Sequence, residues 1–201
     1  MQDNGITLYR RFLDGDKGGL EELITLYQHG LLRFIYGYVN DIGLAEDVMQ
    51  EVFVEIYCRR SFKEQSDVAF KTYLYTIARN KSLNVIKKRK RKKELSLEAL
   101  MEKNATLSDT ETAEPLAFSY GQRPDDKLEQ SERDKTLREA ISKLKTDYQE
   151  ILTLRYFEDL PPERIAKITK RKVKQVYNLL ARGKTALKAE LLAQGVGYED
   201  D

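Results

Sequence analysis

Residues 161–187 read PPERIAKITKRKVKQVYNLLARGKTAL, two short amphipathic segments separated by a polar break. Pro161 and Pro162 open the first helix, where a missing N–H leaves no bond unmade. Ile165, Ala166 and Ile168 face inward, and Thr169-Lys170-Arg171 interrupts the pattern. In the second helix Val173, Val176, Tyr177 and Leu180 recur at i, i+3, i+4 and i+7, the spacing of a buried stripe. Gln175, Asn178 and Arg182 fall on the opposite face, flanked by Lys174. Amides and arginine pair with base edges in a major groove, while lysines suit phosphates. Nine Lys/Arg and one acid, Glu163, lie between Pro161 and Lys188. The pattern is that of a helix-turn-helix aimed at DNA. On these residues alone the alternative is a helical hairpin with a solvated polar face.

The rest of the chain sets the frame for this motif. Its 201 residues suit one large domain or two small helical ones, and 41% hydrophobic residues suffice for real cores. A net charge of +2 hides strong segregation of sign, and local fields are what a partner feels. A single cysteine, Cys58, excludes an internal disulfide and a Cys-based zinc site, and a single histidine, His29, excludes a His pair. Cys58 is expected half-buried on a helix and His29 on a helix surface. No metal or cofactor is expected. The amino terminus, MQDNGITLYRRF, lacks an apolar leader core, and no apolar run approaches membrane-spanning length. The expectation is a soluble protein of a reducing cytoplasm. With no P-loop, Gly-rich phosphate cradle or nucleophile–base set, an enzyme finds little footing.

Helical periodicity dominates the first 114 residues, which contain no proline. Leu20, Leu23, Ile24, Tyr27, Leu31, Phe34, Ile35 and Tyr38 repeat at 3–4 spacing, with a mild break at Gly30. Asn40-Asp41-Ile42-Gly43 offers a turn and an N-cap. The next helix carries Ala45, Val48, Met49, Val52, Phe53 and Ile56 inward. A polar loop from 60 to 67 leads to a helix with Phe70, Tyr73, Leu74 and Ile77 on one face, and a short helix around Leu8–Leu13 packs against these. That fourth helix runs into seven consecutive basic residues, Lys87 to Lys93. Like charges at i, i+4 oppose a helix by roughly 0.2–0.5 kcal/mol per pair. So long a run implies fraying at its end or an anionic partner, with a solvated tail as the alternative. Composition then flips: residues 94–127 hold eight acids and three bases, and read as a mobile linker. From Leu128 helices resume, with a capping box from Thr146 to Gln149 and a final apolar set at Leu187, Leu191 and Leu192. The expected fold is all-α: two small helical domains, 6–93 and 128–195, joined by a flexible linker at 94–127.

Three motifs in order resemble one family. Ala45-Glu46-Asp47-Val48-Met49-Gln50-Glu51-Val52-Phe53 is close to an AED-x-x-QE-x-F segment. Phe70-x-x-Tyr73-Leu74-Tyr75-x-Ile77-Ala78-Arg79-Asn80 is close to an F-x-x-WL-x-x-IARN segment, and the run from Ile151 through the helix-turn-helix completes the set. The chain resembles the small two-domain bacterial sigma factors of the extracytoplasmic-function (ECF) group, over nearly everything outside the linker. The resemblance implies region 2 and region 4 domains, a core RNA polymerase partner engaged through the clamp helices of its largest subunit and the flap of its second-largest, and promoter DNA. It implies polymerase docking by Asp47, Gln50, Glu51 and Val54. It implies −10 recognition and strand opening by Asn80, Lys81, Asn84, Lys87 and Lys88, with Phe62 and Lys63 in the loop where the family captures a flipped base. It implies −35 bases for Gln175, Asn178 and Arg182, and phosphates for Arg171, Lys172, Lys174 and Lys184. An anti-sigma factor often restrains relatives; no segment here identifies one. Two departures stand out. Tyr73 replaces a frequent Trp and lies on the apolar stripe, so it is expected in the core. Lys170 occupies a turn position that is often Gly; if positive φ is required there, lysine costs roughly 1 kcal/mol. A stand-alone helix-turn-helix regulator remains the competing reading, though it leaves the acidic strip and the basic fourth helix without a role.

Overall fold

The computed structural model describes residues 4–59, 62–63, 66–101 and 128–195. Among them every regular element is helical: α1 (Gly5–Leu13), α2 (Lys17–Val39), α3 (Ile42–Arg59), α4 (Asp67–Met101), α5 (Leu128–Ser142), α6 (Thr146–Leu152), a π-helical turn (Thr153–Phe157), α7 (Pro162–Thr169) and α8 (Val173–Ala193).

In the amino-terminal unit, local chemistry sets where the helices stop and start. The Asp16 carboxylate accepts from Gly18 N at 2.9 Å and opens α2. Asn40, at φ 49°, ends that helix in the left-handed region. Asp41 then accepts from Leu44 N at 3.0 Å and opens α3, so α2 and α3 are joined by a two-residue turn. Gly19 lets α1 cross α2 closely, since a Cβ there would lie 2.7 Å from the Leu8 carbonyl oxygen and 2.7 Å from Phe12 N. Tyr9, Leu23, Leu31, Ile35, Val52, Ile56, Phe70 and Leu74 fill the core between α1 and α4. Each such burial contributes about 1.5–3 kcal/mol.

The carboxy-terminal unit wraps α5–α8 around Ile151, Leu152, Leu154, Leu160, Ile165, Ile168 and Val176. Two local expectations fail here. Thr146 does not cap α6: Lys145 occupies the cap position without a side-chain bond. The Gln149 amide instead donates to the carbonyls of Ser142 and Leu144, at 2.6 and 2.8 Å, and so satisfies the end of α5. Leu192 is exposed rather than buried, because Leu187 and Leu191 already complete the inward stripe.

Two further differences concern the amino-terminal unit. Helix α4 continues past the basic run to Met101, into the stretch expected as linker, while 102–127 lies outside the described residues. Cys58 is exposed, one turn beyond Val54 on the outward face of α3. The two units also pack on one another: α7 lies along α4, and α6 and the π-helical turn meet α2.

Candidate nucleic-acid interface

Helix α8 is mounted by a strained turn. Lys170 ends α7 at φ 54°, ψ 37°, and Arg171 N then donates to the Ala166 carbonyl at 3.0 Å. The turn therefore has the positive φ that the frequent glycine serves, and lysine carries its strain. Val176, Leu180, Gly183, Leu187 and Leu191 face the unit's core. Val173 and Tyr177 do not: they flank that stripe on its outer edge, and Tyr177 is 53% exposed. The sequence spacing admitted both residues to the stripe, but α6 and α7 cover too narrow an arc of α8 to bury them. Lys172, Lys174, Gln175, Asn178, Arg182 and Lys184 are exposed. Gln175 also has a structural task, since its Oε1 accepts from Lys172 N at 2.9 Å, leaving its NH₂ outward. Arg171 is turned inward, with Nη2 2.7 Å from Asp147 and 3.8 Å from Glu150.

On α4, Asn84, Lys87 and Lys88 are exposed, while Asn80 and Lys81 are half-buried. Lys81 Nζ bridges to α3, 3.1 Å from Glu51 and 3.3 Å from Glu55. Phe62 does not stand free: it stacks on Tyr73 at 5.2 Å and 25°, and meets Phe70 edge-on at 5.4 Å. Tyr73 is half-buried in this cluster, and Lys63 beside it is exposed. Asp47, Gln50, Glu51 and Val54 form one exposed strip on α3, with Val54 59% exposed. The strip extends to Tyr57 and Cys58, which the sequence reading had not included; their i+3 and i+4 spacing from Val54 was the available signal.

A further polar cluster, absent from the sequence reading, lies between the units. Glu150 of α6 is almost fully buried, 2.6 Å from Arg79 Nε of α4, and accepts a hydrogen bond from Tyr38 Oη of α2. Burial, reinforced by the Glu150 carboxylate, drives the Tyr38 phenol pKa far above its ordinary value. Lys71 Nζ donates to the Glu158 carbonyl at 3.2 Å and lies 3.7 Å from its carboxylate. Burial raises the Glu158 pKa, against the opposing pull of Tyr75, Lys71 and Arg33. Tyr75 Oη is buried nearby, and burial together with the Glu158 carboxylate pushes its pKa well up. Arg33 Cζ sits 4.9 Å from the Phe157 ring centroid. The π-helical turn matters here because its extra residue swings Phe157 and Glu158 toward α2 and α4. Beside the cluster, Arg33, Tyr36, Arg138, Lys143 and Phe157 help line a cleft of about 560 Å³.

Residues 23–92 match the Sigma-70 region 2 family, and residues 134–187 match the Sigma-70, region 4 family. The chain is 32% identical over 187 residues to the RNA polymerase sigma-H factor of Pseudomonas aeruginosa, covering 92% of this chain and 93% of the relative. The chain belongs to the ECF group of bacterial RNA polymerase sigma factors. It is also 26% identical over 179 residues to the ECF sigma factor SigW of Bacillus subtilis, across 88% of this chain and 91% of that one. In fold it is similar to the sigma factor RpoE of Bartonella quintana, solved in complex with the anti-sigma factor NepR. The TM-score is 0.58 at 19% identity, over 85% of this chain and 95% of that one. It is equally similar to CnrH, solved with the cytosolic domain of CnrY, with a TM-score of 0.58 at 16% identity, over 95% of this chain and 99% of that one. As a sigma factor, the protein binds core RNA polymerase and directs transcription from promoters. Among the described residues, no helix is long and apolar enough to cross a membrane.

Proposed function

We propose that the sigma factor divides its work among three helices. The exposed α3 strip of Asp47, Gln50, Glu51 and Val54 docks on the clamp helices of the largest polymerase subunit, and the carboxy-terminal unit meets the flap of the second-largest. Helix α8 enters the −35 major groove, where Asn178, Arg182 and the outward amide of Gln175 meet base edges. Lys172, Lys174 and Lys184 meet phosphates, and Arg171 joins them on leaving Asp147. Helix α4 lies on the −10 element with Asn80 and Asn84 toward bases and Lys81, Lys87 and Lys88 along the backbone. Phe62 and Lys63 border the pocket for an unstacked base; using Phe62 as a platform requires it to part from Tyr73. The two units are taken as domains at 6–93 and 128–195. The protein carries out no chemistry of its own, since catalysis belongs to the polymerase, and it works in the cytoplasm.

The observation that carries this reading is the outward face of α8, where amides, an arginine and lysines share one exposed surface. The deciding experiment mixes the full chain with core polymerase and a linear promoter library and maps transcription starts. Starts at sites sharing −10 and −35 sequences are expected. Duplex binding that ignores core polymerase would support a stand-alone regulator instead.

A further inference from the structure

We infer that the cleft between α2 and the α5–α6 side of the carboxy-terminal unit is a binding site for a nucleotide, separate from the promoter-reading faces. Helix α2 forms one wall, and α5, α6 and the π-helical turn form the other, around about 560 Å³. That volume lies within the roughly 300–1,000 Å³ of small-ligand sites. Charge sets the sign of the occupant. Arg33, Lys135, Arg138 and Lys143 line the cleft against two acids, Glu139 and Glu150. Glu150 is already answered by Arg79 Nε at 2.6 Å, and Lys143 by Glu190 at 3.0 Å. With these partners included, Arg79 joins the four cations and Glu190 the two acids, so five positive groups face three negative ones. Lys71 and Glu158, packed near Arg33, cancel one another. Concave walls concentrate such a surplus, which favours an anion.

The other lining groups match the remaining parts of a nucleotide. Tyr36, Tyr38 and Phe157 are half-buried and turn ring surface toward the cleft. The Tyr38 hydroxyl is spent on Glu150, so its ring is what it offers. Arg33 Cζ over the Phe157 ring, at 4.9 Å, makes a flat platform of the kind on which a base stacks. Asn40, Thr146 and Thr153 add an amide and two hydroxyls, which suit the hydroxyls of a sugar. Phosphates fall to Arg138, whose fork accepts them in pairs, and to Lys143 at the rim. The Lys143 side chain is 48% exposed, and an ion pair so open to water is readily exchanged for a phosphate. Inorganic phosphate would leave the rings bare, and a lipid chain would strand the amide and hydroxyls. A charged, ring-bearing sugar ester uses all three sets.

The test uses the full chain in equilibrium dialysis against radiolabelled ATP, GTP, CTP and UTP in turn. Saturable binding of one nucleotide per chain is expected for at least one of them. The thermal midpoint should climb with its concentration, because only the folded protein holds the ligand. The matching nucleoside and inorganic tripolyphosphate should each compete at least about tenfold more weakly, since each supplies part of the match. Arg138→Glu should weaken binding by at least about tenfold, the loss expected of a charge-assisted contact. Tyr36→Ser should weaken it severalfold, with the helical signal unchanged. Should Arg138→Glu not fold, Lys143→Glu reverses charge at the rim and carries the same expectation. Absence of saturable binding of all four up to about 1 mM overturns the site. Tripolyphosphate that competes as strongly as the nucleotide overturns the nucleotide assignment. Binding lost on Lys174→Glu or Lys88→Glu, but kept by the cleft variants, puts the phosphates on the DNA-reading faces and overturns the cleft.

Discussion

Helices α8 and α4 are both basic readers, yet their side chains are stationed differently. On α8, Lys174, Asn178 and Arg182 stand outward from a rigid mount, and among the described residues Lys174 and Arg182 form no ion pair. On α4, Lys81 is held by Glu51 and Glu55, Arg89 by Asp41 at 2.7 Å, and Arg79 and Lys71 by the carboxy-terminal unit. The difference matches the two tasks. Reading an intact duplex requires a preformed face, because the groove already displays its donors and acceptors. Opening strands requires a surface that becomes available only once polymerase is engaged. Glu51 makes this concrete, because the proposed polymerase contact is also the acid that occupies Lys81.

The largest test of that contrast is Glu51→Arg. It reverses charge at the centre of the α3 strip and repels Lys81. Loss of core binding by at least about 2 kcal/mol, the scale of an interface hot spot, is expected with unchanged helical content. Titrating core against labelled protein decides it, and retained affinity would remove α3 from the interface. Next comes Asn178→Ala on the preformed face. It should weaken −35 discrimination by about 1–3 kcal/mol while leaving core binding intact. Quantitative competition among single-base −35 variants measures it, and an unchanged base preference at every position takes Asn178 out of the site.

Smaller effects probe the mount and the polar contact between the units. Lys170→Gly relieves a left-handed residue and should stabilise the carboxy-terminal unit by about 1 kcal/mol, read as a higher denaturant midpoint. A fall in midpoint would mean that the lysine side chain contributes more than the strain takes away. The mildest prediction is the pH dependence of stability through Glu158. Its pKa is raised above its ordinary value in the packed protein, chiefly by burial, with Tyr75, Lys71 and Arg33 pulling the other way. A raised carboxyl pKa means the folded protein holds the proton more tightly. The contribution to stability is thus fully present below the unfolded-state value and fades as pH rises through the folded-state pKa. The denaturant midpoint of the wild type relative to Glu158→Gln should rise as pH falls through that window. A wild-type profile that matches the variant removes Glu158 as its source.

What could be read from residues alone was whatever depends on local periodicity and local chemistry. The apolar stripe of α2 announces its helix because 3.6-residue spacing is a property of the segment itself. The cap within residues 40–43 was legible for the same reason, as it is satisfied within one turn of chain, whereas the left-handed turn at Lys170 was suggested only by the family's frequent glycine there. The outward faces of α3 and α8 followed once those stripes were known. Tyr177 marks where that reasoning stops: spacing places it on the stripe, but only the width of the covering helices decides whether the stripe reaches it. Phe62 is a similar case, since a loop aromatic is pulled into a cluster by Tyr73 and Phe70 from another element. The contact between the units lay wholly beyond the sequence. Glu150, Glu158, Arg79 and Lys71 are separated by some 70 to 90 positions and read as ordinary charged residues of amphipathic helices. Only tertiary packing sets them against one another in a largely buried contact, where a charge must find its opposite.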